Sequence, residues 1–268
     1  MKISDIIDVI EKTAPLGLAA PWDKSGPQVA AFRQEAAHVA VMLDPILPSL
    51  LQAQAAGADF MLAHHPLSME PRYPDAAGNY HAVLSLLFKA DLPLYSAHTS
   101  LDSNPLGPVR WLARKFGLTG LEVLEVGGQA VLPTQVSEEP QDYGFGFVGD
   151  LPEPMAYPAF SKKLAAYAQK QNWRSCGPRP ELVRRLACCP GSGGGMAELA
   201  LKAGADIFIT GDMRYHAALE AGVHIIDIGH FQLEEIMMRE FAALLRQDLP
   251  GVQVTFIAGS DPLSFDIP

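Results

Sequence analysis

Short, nearly unbroken apolar runs alternate along the chain with segments whose apolar residues recur at helical spacing. AHVAVMLD (37–44), GADFMLAHH (57–65) and LPLYSAH (92–98) read as buried strands. PILPSLLQAQAAG, ended by Gly57, then NYHAVLSLLFKADLP and GPVRWLARKFGL read as the helices among them. Residues 4–13 read as a short amphipathic helix with Ser4 as its N-cap. Strand-length runs alternating with helices at short spacing predict a parallel α/β sheet.

The second half repeats this rhythm. LVRRLACCPG (182–191) is strand-like, and GGGMAELALKAGAD is a helix that leads into the strand IFITGD. AAGADFMLAHH therefore has a counterpart in LKAGADIFITGD, and LYSAHTSLD (94–102) has one in IIDIGHFQLE (225–234). Both members of the second pair are apolar strands ending in His, with a carboxylate four residues later. The first half is longer between the matched features, through an insert at or near MEPRYPDAAGNYHAV. The pattern predicts two related α/β lobes with mainly parallel or mixed sheets. The first covers residues 1–128, with 238–268 returning to it through the strand QVTFIA, and the second covers 129–237. GGQAVLPTQVSEEPQDYGFGFVGDLPEP (127–154), rich in Gly, Pro and acids, reads as the crossing between lobes. FSKKLAAYAQKQNW is a helix opening the second lobe.

Composition narrows the function classes. The chain has 268 residues, 49% hydrophobic and 19% charged, enough for sizeable cores. Its net charge of −10 disfavours a nonspecific nucleic-acid surface, which needs clustered Lys and Arg. Three cysteines are too few for a disulfide framework, and a reducing, cytoplasmic compartment is expected. MKISDIIDVIEKTAPLG lacks the apolar core of a signal peptide, and no segment approaches ~18 uninterrupted apolar residues, so no membrane span is expected.

The chemistry gathers at strand ends, where open α/β sheets bind ligands. In order these carry His64-His65, His98 with Asp102, Thr210-Gly211-Asp212, and His230 with Glu234. Any one histidine taken alone is ordinarily a structural hydrogen-bonder. Together, imidazoles and carboxylates form the ligand set of Zn, Mn, Fe or Ni, and they exceed what one tetrahedral ion uses. Two divalent ions per chain, sharing a bridging carboxylate, would use them all. Neighbouring histidines on a regular strand face opposite ways, so a bulge is expected at His64-His65, stiffened by Pro66. His230 and Glu234, at the start of the helical LEEIMMREFAALL segment, stand one turn apart on one face. His216 in GDMRYHAAL is a candidate proton donor or substrate contact; Asp212 reads as a cap for the same helix. GSGGG (191–195) resembles a phosphate-cradling turn but lacks the P-loop Lys, and a tight turn for close packing is the competing reading. Cys188 and Cys189 fall in a buried strand and read as core.

LAHHPL, SAHTSLD, GSGGG, GADIFITGDMRYH and GHFQLE, in that order, resemble the Ngg-interacting-factor-three-like family, also known as GTP cyclohydrolase I type-two homologues. WDKSG near the start and SDPLSF at the end extend the resemblance over nearly the whole chain. It implies a dinuclear metal site in the cleft between two α/β lobes and assembly as a toroidal homohexamer, in the short form without an inserted middle domain. It assigns metal binding to His64, His65, Asp102, His230 and Glu234, with His98 beside them. Departures are Lys24-Ser25-Gly26-Pro27 after WD, and Phe231-Gln232-Leu233 between His230 and Glu234.

Two functions stay open at this point. One is a metal-dependent hydrolase acting on a nucleotide or related heterocycle, GTP if the family label holds, with Glu234 bridging the ions and His98 or His216 as general acid or base. The alternative is a non-catalytic metal carrier or regulatory adaptor forming a ring.

Overall fold

A computed structural model describes residues 1–264; Phe265, the last residue of SDPLSF, lies outside the described residues. The elements in chain order are α1 (Ile3–Thr13), β1 (Gly26–Val29), β2 (His38–Met42), α2 (Leu47–Ala55), β3 (Phe60–Ala63), α3 (Asn79–Ala90), β4 (Leu94–Ser96) and α4 (Thr99–Asp102). There follow α5 (Trp111–Phe116), β5 (Thr119–Ala130), β6 (Gln141–Ala156), α6 (Tyr157–Ala168), β7 (Arg174–Cys176), β8 (Leu182–Cys188) and α7 (Ala197–Lys202). The chain ends with β9 (Ile207–Thr210), α8 (Tyr215–Leu219), β10 (His224–Asp227), α9 (His230–Asp248) and β11 (Gln253–Phe256). Among the described residues no helix is long and apolar enough to cross a membrane.

Contacts divide the chain into two units, Met1–Leu101 with the segment from Met238 onward, and Asp102–Met237. The sequence had placed the break at residue 128.

In the first unit, five strands lie in the order β1-β4-β3-β2-β11. β11 pairs in parallel with β2, β2 with β3 and β3 with β4, while β1 runs antiparallel to β4. β2 and β3 are buried along their whole length, as their unbroken apolar runs require of a sheet covered on both faces. Met42, Met61, Leu50, Val83 and Leu87 pack together from strands and helices of this unit. Ser4 is not the N-cap of α1. The helix begins at Ile3, and the Ser4 hydroxyl donates to its neighbour Asp5 at 3.2 Å.

The second unit has six strands in the order β5-β6-β8-β9-β10-β7. β8, β9 and β10 are parallel neighbours, and β7 runs antiparallel to β10. Thus β7-β10-β9-β8 repeats β1-β4-β3-β2 in both order and direction. The repeat extends to side chains. Asp59, of the first GAD, accepts hydrogen bonds from the backbone of Ala37 and His38 at the start of β2. Asp206, of the second, accepts them from Arg184 and Arg185 at the start of β8. Gly57 and Gly204 take positive φ values of 82° and 74° just after α2 and α7, where only glycine turns the chain without strain.

The segment 127–154 is mostly strand rather than a crossing: β5 and β6 form a long antiparallel hairpin whose β6 edge joins β8. Its glycines serve the pairing. A Cβ on Gly144 would fall 2.0 Å from the Glu125 carbonyl oxygen, beside a register shift between Val126 and Gly128.

Candidate metal centre

His64 and His65 follow directly on β3, which ends at Ala63, so no bulge is needed to turn them. The strand stops, and the His64 amide donates to the Met42 and Leu43 carbonyls while the His65 amide donates to Leu43. His98 follows β4, the parallel neighbour of β3, so the sheet itself brings the three imidazoles to one end. Ring centroids lie 5.0 Å apart for His64–His65, 5.2 Å for His64–His98 and 5.7 Å for His65–His98. One ring nitrogen from each lies within 4.8 Å of the others, a spacing able to hold a metal ion. His64 is fully buried.

Each of these rings is oriented through Nδ1. His64 Nδ1 donates to the Ala97 carbonyl at 2.8 Å, His65 Nδ1 to Asp44 Oδ1 at 2.7 Å, and His98 Nδ1 to Asp23 Oδ1 at 2.6 Å. A carbonyl or carboxylate can only accept, so the ring proton sits on Nδ1 and Nε2 carries the lone pair. That is the tautomer in which a histidine ligates a metal through Nε2, with its ring fixed from behind. Asp23, from WDKSG, also accepts from the Lys24 amide, the Ser25 hydroxyl, and the Thr99 amide and hydroxyl. Burial by itself would raise its pKa, but the hydrogen bonds from His98, Ser25 and Thr99 outweigh it and hold the carboxyl well below the usual range. The departure at Lys24-Ser25 therefore supplies part of this network. Trp22, 58% exposed, sets its ring edge-on to His98 at 6.2 Å.

The second unit has a similar arrangement. His230 is the first residue of α9, and its Nδ1 lies 2.8 Å from Asp212 Oδ2 while its Nε2 lies 2.9 Å from Glu234 Oε2. With the Nδ1 proton directed at Asp212, the Nε2 and Glu234 lone pairs face each other, and a proton or a metal ion must lie between them. Glu234 is buried. Glycines give it room. A Cβ on Gly191, where φ is +66°, would fall 2.3 Å from Glu234 Oε1. A Cβ on Gly211 would fall 2.4 Å from the His230 amide nitrogen. Gly191 and Gly193, whose Cβ would meet Cys189, fit the close-packing reading of GSGGG. Cys188 and Cys189 are core, and burial foremost, then Cys188, Asp102 and Glu234 nearby, raises the Cys189 thiol pKa.

Asp102 closes the single helical turn α4, four residues after His98. His216 is exposed on α8, its ring edge-to-face with Tyr215 at a centroid separation of 5.4 Å. The sequence reading missed Asp23 and Asp44 as partners of imidazoles and gave Asp212 only a capping role. The available signal was position, since Asp44 and Asp212 each stand just past the end of a buried strand, β2 and β9.

The nitrogen and carboxylate donors of these side chains fit a borderline divalent ion. A family model, Duf34/NIF3 (NGG1p interacting factor 3), matches residues 1–262. The chain belongs to that family. A Clostridium perfringens relative named "GTP cyclohydrolase 1 type 2 homolog" is 30% identical over 273 residues, taking in 99% of this chain and 100% of that protein. A Lactococcus lactis relative of the same name is 32% identical, covering 95% of each. Among solved structures, a Bacillus cereus protein related to NIF3 superposes with a TM-score of 0.86 at 23% identity over 99% of both chains, which supports the NIF3 fold.

Proposed function

We propose that this NIF3-family chain binds two divalent metal ions through His64, His65, Asp102, His230 and Glu234, with His98 alongside, and hydrolyses a nucleotide or a related heterocycle. The observation that carries the reading is the uniform setting of four imidazoles. His64, His65, His98 and His230 each direct Nδ1 at an oxygen acceptor, which leaves Nε2 as the ligand nitrogen. Three of these rings, His64, His65 and His98, also stand close enough together for one ring nitrogen of each to reach a common ion.

When bound, such ions lower the pKa of a coordinated water and polarise the centre under attack. The chain's own groups do the rest. Asp44, Asp23 and Asp212 hold the His65, His98 and His230 rings in place, and Glu234 would be the carboxylate available to hold the ions beside His230. His98, fixed at Nδ1 by Asp23, accepts or returns a proton at Nε2. His216, exposed and unburdened by packing, is the second candidate for that exchange. The relatives' name makes GTP the first substrate to try. The family resemblance also supports a toroidal homohexamer, and the three cysteines support a reducing, cytoplasmic setting.

GTP turnover by untagged protein, loaded in turn with Zn, Mn and Fe(II), tests the reading, with Glu234→Gln as control and formate and phosphate both followed. Metal-dependent formate release that is lost in the variant is the cyclohydrolase outcome. Phosphate alone moves the reaction to the phosphoryl chain. Neither product, with metals bound, replaces the GTP reading with a carrier or an enzyme of another substrate.

A further inference from the structure

One difference between the two repeats lies beside His65. Residues 64–78 join β3 to α3, whereas the matching join from β9 to α8 is only residues 211–214. Long irregular joins inside a compact unit are ordinarily binding loops rather than spacers. This one helps wall a cavity of about 370 Å³ whose lining includes Asp44, His65, Leu67, Arg72, Asn79 and Tyr80. The cavity thus runs from a candidate metal ligand and its carboxylate partner to a guanidinium.

Arg72 is positioned in advance. Its guanidinium carbon lies 4.2 Å from the centre of the Tyr80 ring, and the Tyr80 hydroxyl reaches the Arg72 carbonyl at 3.4 Å, so the loop is folded back onto the first turn of α3. Among the described residues Arg72 forms no ion pair. A guanidinium stacked by its face keeps its N–H edge for an oxyanion. Asp44, the carboxylate in this lining, is already engaged by His65 Nδ1. The Arg72 fork and the Asn79 amide offer more donors than the two oxygens of a carboxylate use, which favours a phosphate with three terminal oxygens.

We propose that this cavity seats the phosphate of a phosphorylated small-molecule substrate, with Arg72 as its specificity-determining residue and Tyr80 as the positioning residue that holds the guanidinium. The inference rests on the metal-dependent hydrolase reading, and it places the reacting part of the substrate toward His65.

Calorimetric titration of the metal-loaded full chain with GMP, guanosine and inorganic phosphate tests it. Arg72→Gln should weaken GMP and phosphate about tenfold, the order expected for one charge-assisted contact. Guanosine affinity and metal content should not change. Tyr80→Leu, which removes the ring under the guanidinium, should follow Arg72→Gln. Equal GMP affinity in wild type and Arg72→Gln, as expected if a metal ion alone held the phosphate, would overturn the proposal. So would a wild type that binds GMP no tighter than guanosine. GMP binding through Arg72 in a metal-loaded chain that turns over neither GTP nor GMP would count against the guanine-nucleotide hydrolase reading while leaving the cavity's assignment in place.

Discussion

Asp23 Oδ1 lies 2.6 Å from His98 Nδ1, although the two residues are separated by most of the first unit's sheet in sequence. The carboxylate side chain is fully buried and gathers donors from Ser25 and Thr99 as well. Its job is to fix one ring in one tautomer. Asp23→Asn should therefore lower metal affinity by about 10- to 100-fold, the range for losing a carboxylate behind a metal-bound histidine. Competition with a chromogenic chelator measures this. A variant that melts earlier but binds metal with unchanged affinity would give Asp23 a purely structural role.

Gly191 is needed for its missing side chain. Gly191→Ala places a Cβ 2.3 Å from Glu234 Oε1 and imposes a φ of +66° on a residue that resists it. Metal content should fall, and stability should drop by ~1–3 kcal/mol. Gly195→Ala is the matched control, because a Cβ there meets nothing within 4 Å. Equal behaviour of the two variants would show that the GSGGG turn does not shape the Glu234 pocket.

His224 offers a pH test away from the candidate metal ligands. Burial foremost lowers its pKa, its ring being held between Tyr157 and the Gly177 carbonyl. A histidine whose folded pKa lies below its unfolded value, about 6.5, takes up protons preferentially when unfolded. Its contribution to stability is complete above that pH and is lost as pH falls through the folded pKa. Metal-free wild type should thus lose more melting temperature between pH 7.5 and pH 5.5 than metal-free His224→Gln does. Identical losses would show that His224 is not a source of acid sensitivity.

Much of this was legible in the sequence for a physical reason: β2, apart from His38, and β3 are apolar because both strands are buried along their whole length, and that length fits strands. The paired GAD turns marked a true repeat, each Asp tying down the start of a neighbouring strand. The partners of the histidines were not legible. Asp23, Asp44 and Asp212 meet rings 75, 21 and 18 residues away, and no local periodicity encodes such a meeting. The β5–β6 hairpin was hidden by composition, since Gly144 and Gly146 look like loop residues but serve close backbone approach inside a strand. The expected bulge at His64-His65 was wrong for a simpler reason: β3 ends one residue earlier.

The central claim is that His64 and His65 belong to a metal centre. The most direct measurement is metal content per folded chain in untagged wild type and in the double variant His64→Ala with His65→Ala, with circular dichroism confirming that both are folded. The account predicts two divalent ions per wild-type chain and no stoichiometric metal in the double variant. A folded double variant that keeps its full metal content would contradict it.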